Sequence, residues 1–265
     1  MNSNKGILIV SSGTSHEDTR KKTICTFEDT IRNAYPDIPV YTAWTSRAII
    51  TKLLNTTGEK IYGIDETLYK MKQDGLTHIY ILPTLIIDGM GYNQIKESAA
   101  RWMDAFAWVT LGKPLLSTRE GRKELIRIIA DEFSEILASD QSALILIGHG
   151  TPYRSNTDYA KLGSMFREAG YANIYVQTLE SCRSAAQMIS LLKYTSADNI
   201  HLSPLMITAG SHAKNDIFGP GKSSWAAQFK QAGYNVTCHL KGLGEYPAIH
   251  RLFLKHLSEL SGFIS

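Results

Sequence analysis

The chain has 265 residues, 43% hydrophobic and 20% charged. That is globular composition, with room for one large domain or two of about 130 residues, and it excludes disordered, collagen-like and mini-protein classes. The net charge of +3 argues against a broad nucleic-acid-binding face and leaves room for a local basic pocket. Three scattered cysteines, Cys25, Cys182 and Cys238, form no CxxC pair, which argues against a disulfide framework or a cysteine zinc site.

The first apolar run, Ile7 to Val10, is too short for a signal-peptide core and leads straight into Ser-Ser-Gly-Thr-Ser. No stretch reaches the roughly 18 apolar residues of a membrane helix, so the expectation is a cytoplasmic protein with no membrane partner. In chain order, strands are predicted over Gly6–Val10, Pro39–Ala43, His78–Leu82, Trp108–Leu111, Ala143–Ile147, Asn173–Thr178, Ile200–Leu202 and Asn235–Leu240. Short apolar, β-branched runs bounded by Gly, Pro or Ser read as buried parallel strands. Helical spacing lies between them. Thr19–Tyr35 carries Ile24, Phe27 and Ile31, and Arg119–Ala138 carries Leu125, Ile128, Ile129, Phe133, Ile136 and Leu137. Strand-then-helix alternation predicts an α/β fold with parallel sheets flanked by helices.

Two blocks repeat in the same order. ILIVSSGTS (7–15) resembles LILIGHGTP (144–152), and HIYILPTLIIDG (78–89) resembles NIHLSPLMITAG (199–210). Any two βα units share some likeness, but two ordered pairs favour duplication. The expected organisation is two similar halves, 1–138 and 139–265, with a cleft between them.

In open α/β sheets ligands bind beyond the carboxyl ends of the strands. In the second half, three strands deliver His149, Glu180 and His212 to such ends. Two imidazoles and a carboxylate suit a first-row metal and leave coordination positions open. Each residue alone is better read as a cap or loop residue; the three together at equivalent strand ends favour a site. Gly148-His149-Gly150-Thr151 is not a P-loop, because no Lys follows at the required spacing, and no nucleotide motif occurs elsewhere. No GxSxG elbow is present. Ser12 and its neighbours at a helix start are more simply capping residues than an anion site. Cys182 is read as an inert thiol. Arg154, Arg183, Lys214 and Lys222 are individually surface charges; grouped around a cleft they would suit a substrate with several carboxylates.

The sequence resembles the CbiK-type anaerobic cobalt chelatases, class II tetrapyrrole chelatases. The matching pieces run the full length: VSSGTSHEDT (10–19), AWTSRAIITKL (43–53), TLGKPLLS (110–117), IGHGT (147–151), LES (179–181), PLMITAGSHAKNDIFG (204–219), SSWAAQFKQAG (223–233) and GLGEYPAIHRLFLKHL (242–257). The resemblance implies two α/β halves around a cleft. It also implies insertion of Co²⁺ into sirohydrochlorin for cobalamin synthesis, with the divalent metal as substrate (Fe²⁺ or Ni²⁺ as the alternatives) and no nucleotide. It assigns metal binding and catalysis to His149 and His212, with Glu180 as the acidic partner in the metal site. The chain departs from the family pattern at Tyr153, Leu85 and Gly91, where members tend to carry His, His and Glu. Substrate contacts are expected from Ser12, Leu85, Met90, Tyr92, Tyr153, Arg154, Arg183 and Lys214, with Ile86 beside them. Two further readings stay open: an iron or nickel chelatase on a related ring, and a non-catalytic tetrapyrrole-, haem- or metal-binding protein. A homo-oligomer is admitted by all of them.

Overall fold

The computed structural model describes residues 4–180 and 185–262. Every predicted strand is present. β1 (Lys5–Ser11), β2 (Val40–Trp44), β3 (His78–Pro83) and β4 (Trp108–Leu111) form one sheet in the order β2-β1-β3-β4. β5 (Ser142–Gly148), β6 (Ile174–Thr178), β7 (Asn199–Pro204) and β8 (Asn235–Cys238) form a second in the order β6-β5-β7-β8. All pairings are parallel. The central strands β1, β3 and β5 are largely apolar on both faces, as expected for strands covered by helices on both sides, whereas β7 alternates Ile200 and Leu202 with His201 and Ser203.

The two sheets also share their register. Val10 pairs with Pro83 in the first, and Ile147 pairs with Pro204 in the second. These are the positions that the two sequence repeats equate. The turn glycines agree as well: Gly13 has φ +88° and Gly150 has φ +90°, a left-handed conformation that favours glycine.

In the first unit, Leu8, Val10, Ile79 and Ile81 pack on one face against Leu68, Met71, Ile95 and Ala99 from the helices Ile64–Gln73 and Met90–Trp102. In the second, Ile145, Ile147, Ile200 and Leu202 pack against Met188, Leu192, Trp225 and Phe229 from the helices Ala185–Leu192 and Trp225–Gln231. The Ser224 hydroxyl caps the latter helix by accepting from the Ala227 N–H at 3.1 Å.

Packing divides the chain differently from the repeat. One compact unit runs through Thr118 and resumes at Gly244; the other is Arg119–Leu243. The expected halves, 1–138 and 139–265, therefore exchange their last helices. Arg119–Glu132, which follows β4, belongs to the second unit, and Pro247–Ser261, which follows β8, belongs to the first. Sequence order assigns a helix to its preceding strand, but an apolar stripe settles wherever it buries. Phe253 is fully buried against Phe27, their rings edge-to-face at 5.3 Å. The helix expected over 119–138 breaks at Phe133 (φ −109°) and resumes as Ser134–Leu137. The one over 19–35 passes through a π turn at Lys21–Cys25 before Thr26–Ala34. Among the described residues, no helix is long and apolar enough to cross a membrane.

Phe253→Ala should destabilise the first unit by about 3–5 kcal/mol, the usual cost of emptying an aromatic core position. Urea unfolding monitored by circular dichroism measures it; an unchanged midpoint would place that helix elsewhere.

Candidate metal centre

The carboxyl edge of the second sheet carries the site. β5 ends at Gly148, and a side chain there has no room: a Cβ would lie 2.4 Å from Cε1 of Tyr159. Tyr159 is buried in the helix Thr157–Glu168, and burial pushes its hydroxyl well above the ordinary tyrosine value, opposed by a hydrogen bond from the Gly150 backbone. The tyrosine thus braces both glycines flanking His149. A Cβ on Gly150 would meet Glu180 Cβ at 3.0 Å and Thr178 Cβ at 3.1 Å, so the loop after β5 lies tight on the loop after β6. The Glu180 N–H donates to the His149 carbonyl at 3.1 Å, which fixes those two residues side by side.

β7 pairs with β5 on its other side. From its end the chain runs through Gly210 to His212, which opens the π turn Ala213–Ile217. Such turns are frequent at functional sites. Here the turn carries Asp216 four residues beyond His212, on the same face.

The result is a chain of four side chains. His149 Nε2 stands 3.2 Å from His212 Nε2, the rings nearly perpendicular with centroids 4.4 Å apart. His212 Nδ1 donates to Asp216 Oδ2 at 2.8 Å, and His149 Nδ1 lies 3.5 Å from Glu180 Oε1. A carboxylate only accepts, so the Asp216 contact places the proton of a neutral His212 on Nδ1 and leaves its Nε2 lone pair toward His149. Two nitrogens at 3.2 Å then need a proton or a cation between them. An ion at about 2.0–2.1 Å from each nitrogen, the usual metal–imidazole length, fits that gap.

Of the three residues expected to converge on one point, the structure brings two ring nitrogens together. Glu180 contacts the nitrogen of His149 that faces away from His212. Among the described residues, no group of three His, Cys, Asp or Glu side chains is placed to hold an ion. All four side chains are about half exposed, so their mutual charge effects are screened and the pair is open to solvent.

The other expected residues are dispersed. Ser12 is exposed at the end of β1, at the position of the first unit that matches His149, and Gly91 stands at the one that matches His212. Leu85 and Tyr92 are buried in the core of the first unit, where the Tyr92 hydroxyl donates to the Gly112 carbonyl at 2.9 Å, and Ile86 is buried too. Core packing thus claims these side chains, whereas Met90 is 64% exposed. Tyr153, Arg154 and Lys222 are exposed and Lys214 is half-buried. Arg183 and Cys182 lie outside the described residues. Sequence reasoning missed Asp216 and Tyr159. The i, i+4 spacing of His212 and Asp216 carries the signal for the first; nothing local marks the second.

The sequence pattern of the cobalt chelatase (CbiK) family matches residues 5–261. The chain is 32% identical to the sirohydrochlorin cobaltochelatase of Salmonella typhimurium over 255 residues, 96% of either chain. It is 26% identical to the sirohydrochlorin cobaltochelatase CbiKC of Nitratidesulfovibrio vulgaris, over 96% of this chain and 89% of that one. Its fold is similar to that of SirB from Bacillus subtilis, solved with Fe³⁺, with a TM-score of 0.67 and 15% identity over 97% of this chain and 96% of the other. It is likewise similar to that of CbiX, solved as the terminal enzyme of sirohaem biosynthesis in denitrifying bacteria, with a TM-score of 0.57 and 15% identity over 96% and 98%.

Asp216→Ala should let the His212 proton distribute over both ring nitrogens. Long-range ¹H–¹⁵N spectra read the tautomer directly, with Nδ1–H dominant only when Asp216 is present. The same tautomer in both proteins would remove Asp216 from the site.

Proposed function

The chain belongs to the CbiK family of cobalt chelatases, and from that premise we propose that it is a sirohydrochlorin cobaltochelatase. It exchanges two pyrrole N–H protons of the macrocycle for one divalent ion. Both the metal and the tetrapyrrole are substrates, and no nucleotide or resident prosthetic group takes part. We place the reaction in the cytoplasm, in anaerobic cobalamin synthesis, without a nucleic-acid or membrane partner.

The observation that carries this reading is the pair of Nε2 atoms 3.2 Å apart, with Asp216 hydrogen-bonded behind His212 and Glu180 lying 3.5 Å behind His149. A chelatase must hold its ion and then give it up. Two imidazoles with open coordination positions suit that better than a closed four-ligand cage, which would retain the metal. His149 and His212 supply the ligand nitrogens. Asp216 keeps the His212 lone pair turned to the ion. Glu180 adds negative charge beside His149 and, being exposed, has room to turn toward the metal. Once the ion passes to the macrocycle, the imidazoles are placed to accept the displaced protons, a task for which histidine is the suited side chain near neutral pH. Arg154 and Lys214 are assigned to the peripheral carboxylates of the ring, and Tyr153 to its apolar surface.

His212→Ala should abolish metal insertion while leaving sirohydrochlorin binding largely intact. Absorbance reads the bound ring, and the shifted product spectrum reads insertion, tested with Co²⁺, Fe²⁺ and Ni²⁺. Full insertion by this variant would overturn the mechanism; equal loss of binding and insertion in a folded protein would overturn the division of roles. Arg154→Glu should weaken ring binding, most at low ionic strength, where charge attraction is least screened. A salt-independent effect would remove Arg154 from carboxylate recognition.

A further inference from the structure

A second imidazole pair lies in the same unit, where β7 meets β8. His201 stands in mid-β7, opposite Thr237 of β8 in the parallel register. His239 is two residues further along, on the same face of the sheet as Thr237 and His201. The ladder continues to it, since its N–H donates to the Leu202 carbonyl at 2.9 Å. His201 Nδ1 and His239 Nε2 are 3.1 Å apart, with the rings tilted by only 26°. Phe133 meets the His239 ring edge-to-face at 5.2 Å and limits its rotation. Pro204, at the end of β7, is three residues or about 10 Å of strand beyond His201, and His212 lies further still.

We propose that His201 and His239 form a second transition-metal site, distinct from the His149–His212 pair, that takes late first-row divalent ions. Two imidazole nitrogens at this separation span the donor positions of one such ion. Both rings are half-buried, and burial holds both below the usual histidine value, so each is neutral and has a lone pair to give at neutral pH. The charge of Glu132 opposes that shift at His239. Glu132 is anchored by Lys241 Nζ at 3.0 Å, and among the described residues no third His, Cys, Asp or Glu joins the pair, so solvent completes the ion's sphere. Without an ion the two rings share one N–H···N proton. With an ion, that proton moves to the other nitrogen of its own ring, and both facing lone pairs turn to the metal; no proton is gained or lost. The repeat lends this pair nothing, since Tyr80 holds the position of the first unit that matches His201. The pair belongs to the second unit alone.

The test uses the full-length His149→Ala/His212→Ala chain, which lacks the strand-end pair. Calorimetric titration with Ni²⁺ should show one ion per chain, and Cu²⁺ should give an electron paramagnetic resonance spectrum with coupling to two nitrogens. Adding His239→Gln, or separately His201→Gln, should remove that ion, with folding checked by near-ultraviolet circular dichroism. In the unmodified chain, Ni²⁺ should broaden the ¹⁵N signals of His201 and His239. The single His239→Gln variant should insert Co²⁺ at the wild-type rate, which separates this inference from the chelatase reading. No ion bound by the double variant, an ion retained after both glutamine substitutions, or unaffected His201 and His239 signals would each overturn the proposal.

Discussion

The parallel pairing of β5 with β7 is the constraint on which the site depends. Its register, Ile147 against Pro204, sets the depth at which both chains leave the sheet. His149 lies two residues past Ile147, and His212 eight residues past Pro204. Their nitrogens meet at 3.2 Å only because those exits are level. A slip of one residue would turn every side chain of a strand to the opposite face, and in β7 that would take Ile200 and Leu202 out of the core and put His201 and Ser203 in their place. The core therefore holds the geometry, while the site residues themselves stay half in solvent.

The two units share one topology but not the side chains at its carboxyl edge. The first sheet repeats the order, the register and the left-handed turn glycine of the second. Its corresponding edge carries different side chains. Trp44, at the register position of Thr178, lies so close over Gly13 that a Cβ there would approach its ring to 2.4 Å. The Ser11 and Thr84 hydroxyls bond to each other at 2.7 Å, both buried. At Gly91 a Cβ would come within 3.3 Å of Thr45 Oγ1. Where the second unit brings two imidazoles together, the first carries an indole and paired hydroxyls.

The carboxylates behind the rings set the character of the centre. A metal that is to be handed on needs few and weak ligands, and orientation matters more than charge. Asp216 orients through a short hydrogen bond; Glu180, at 3.5 Å, acts mainly as a screened charge. Neither joins the two facing nitrogens as a third donor, an openness that fits the proposed exchange of an ion better than its storage.

Much of this was legible in the sequence. The eight apolar runs, the strand–helix alternation and the two ordered repeats specify paired parallel sheets, because burial on both faces leaves an unmistakable apolar signature in a strand. Gly148-His149-Gly150 and His212 identify themselves by standing just past such runs. Three matters were settled only by tertiary structure. The helices 119–132 and 247–261 changed units, since an amphipathic helix records which face it buries and not against which sheet. Leu85 and Tyr92, read as ring contacts, went to the core, since an apolar side chain near a site looks the same in sequence whether it lines a surface or fills an interior. Glu180 went to the outer nitrogen of His149, and Asp216 took the same position behind His212. Strand ends tell which residues gather at one edge; the direction in which each carboxylate then points is decided by loop backbone and by a π turn, neither of which has a periodic pattern to read.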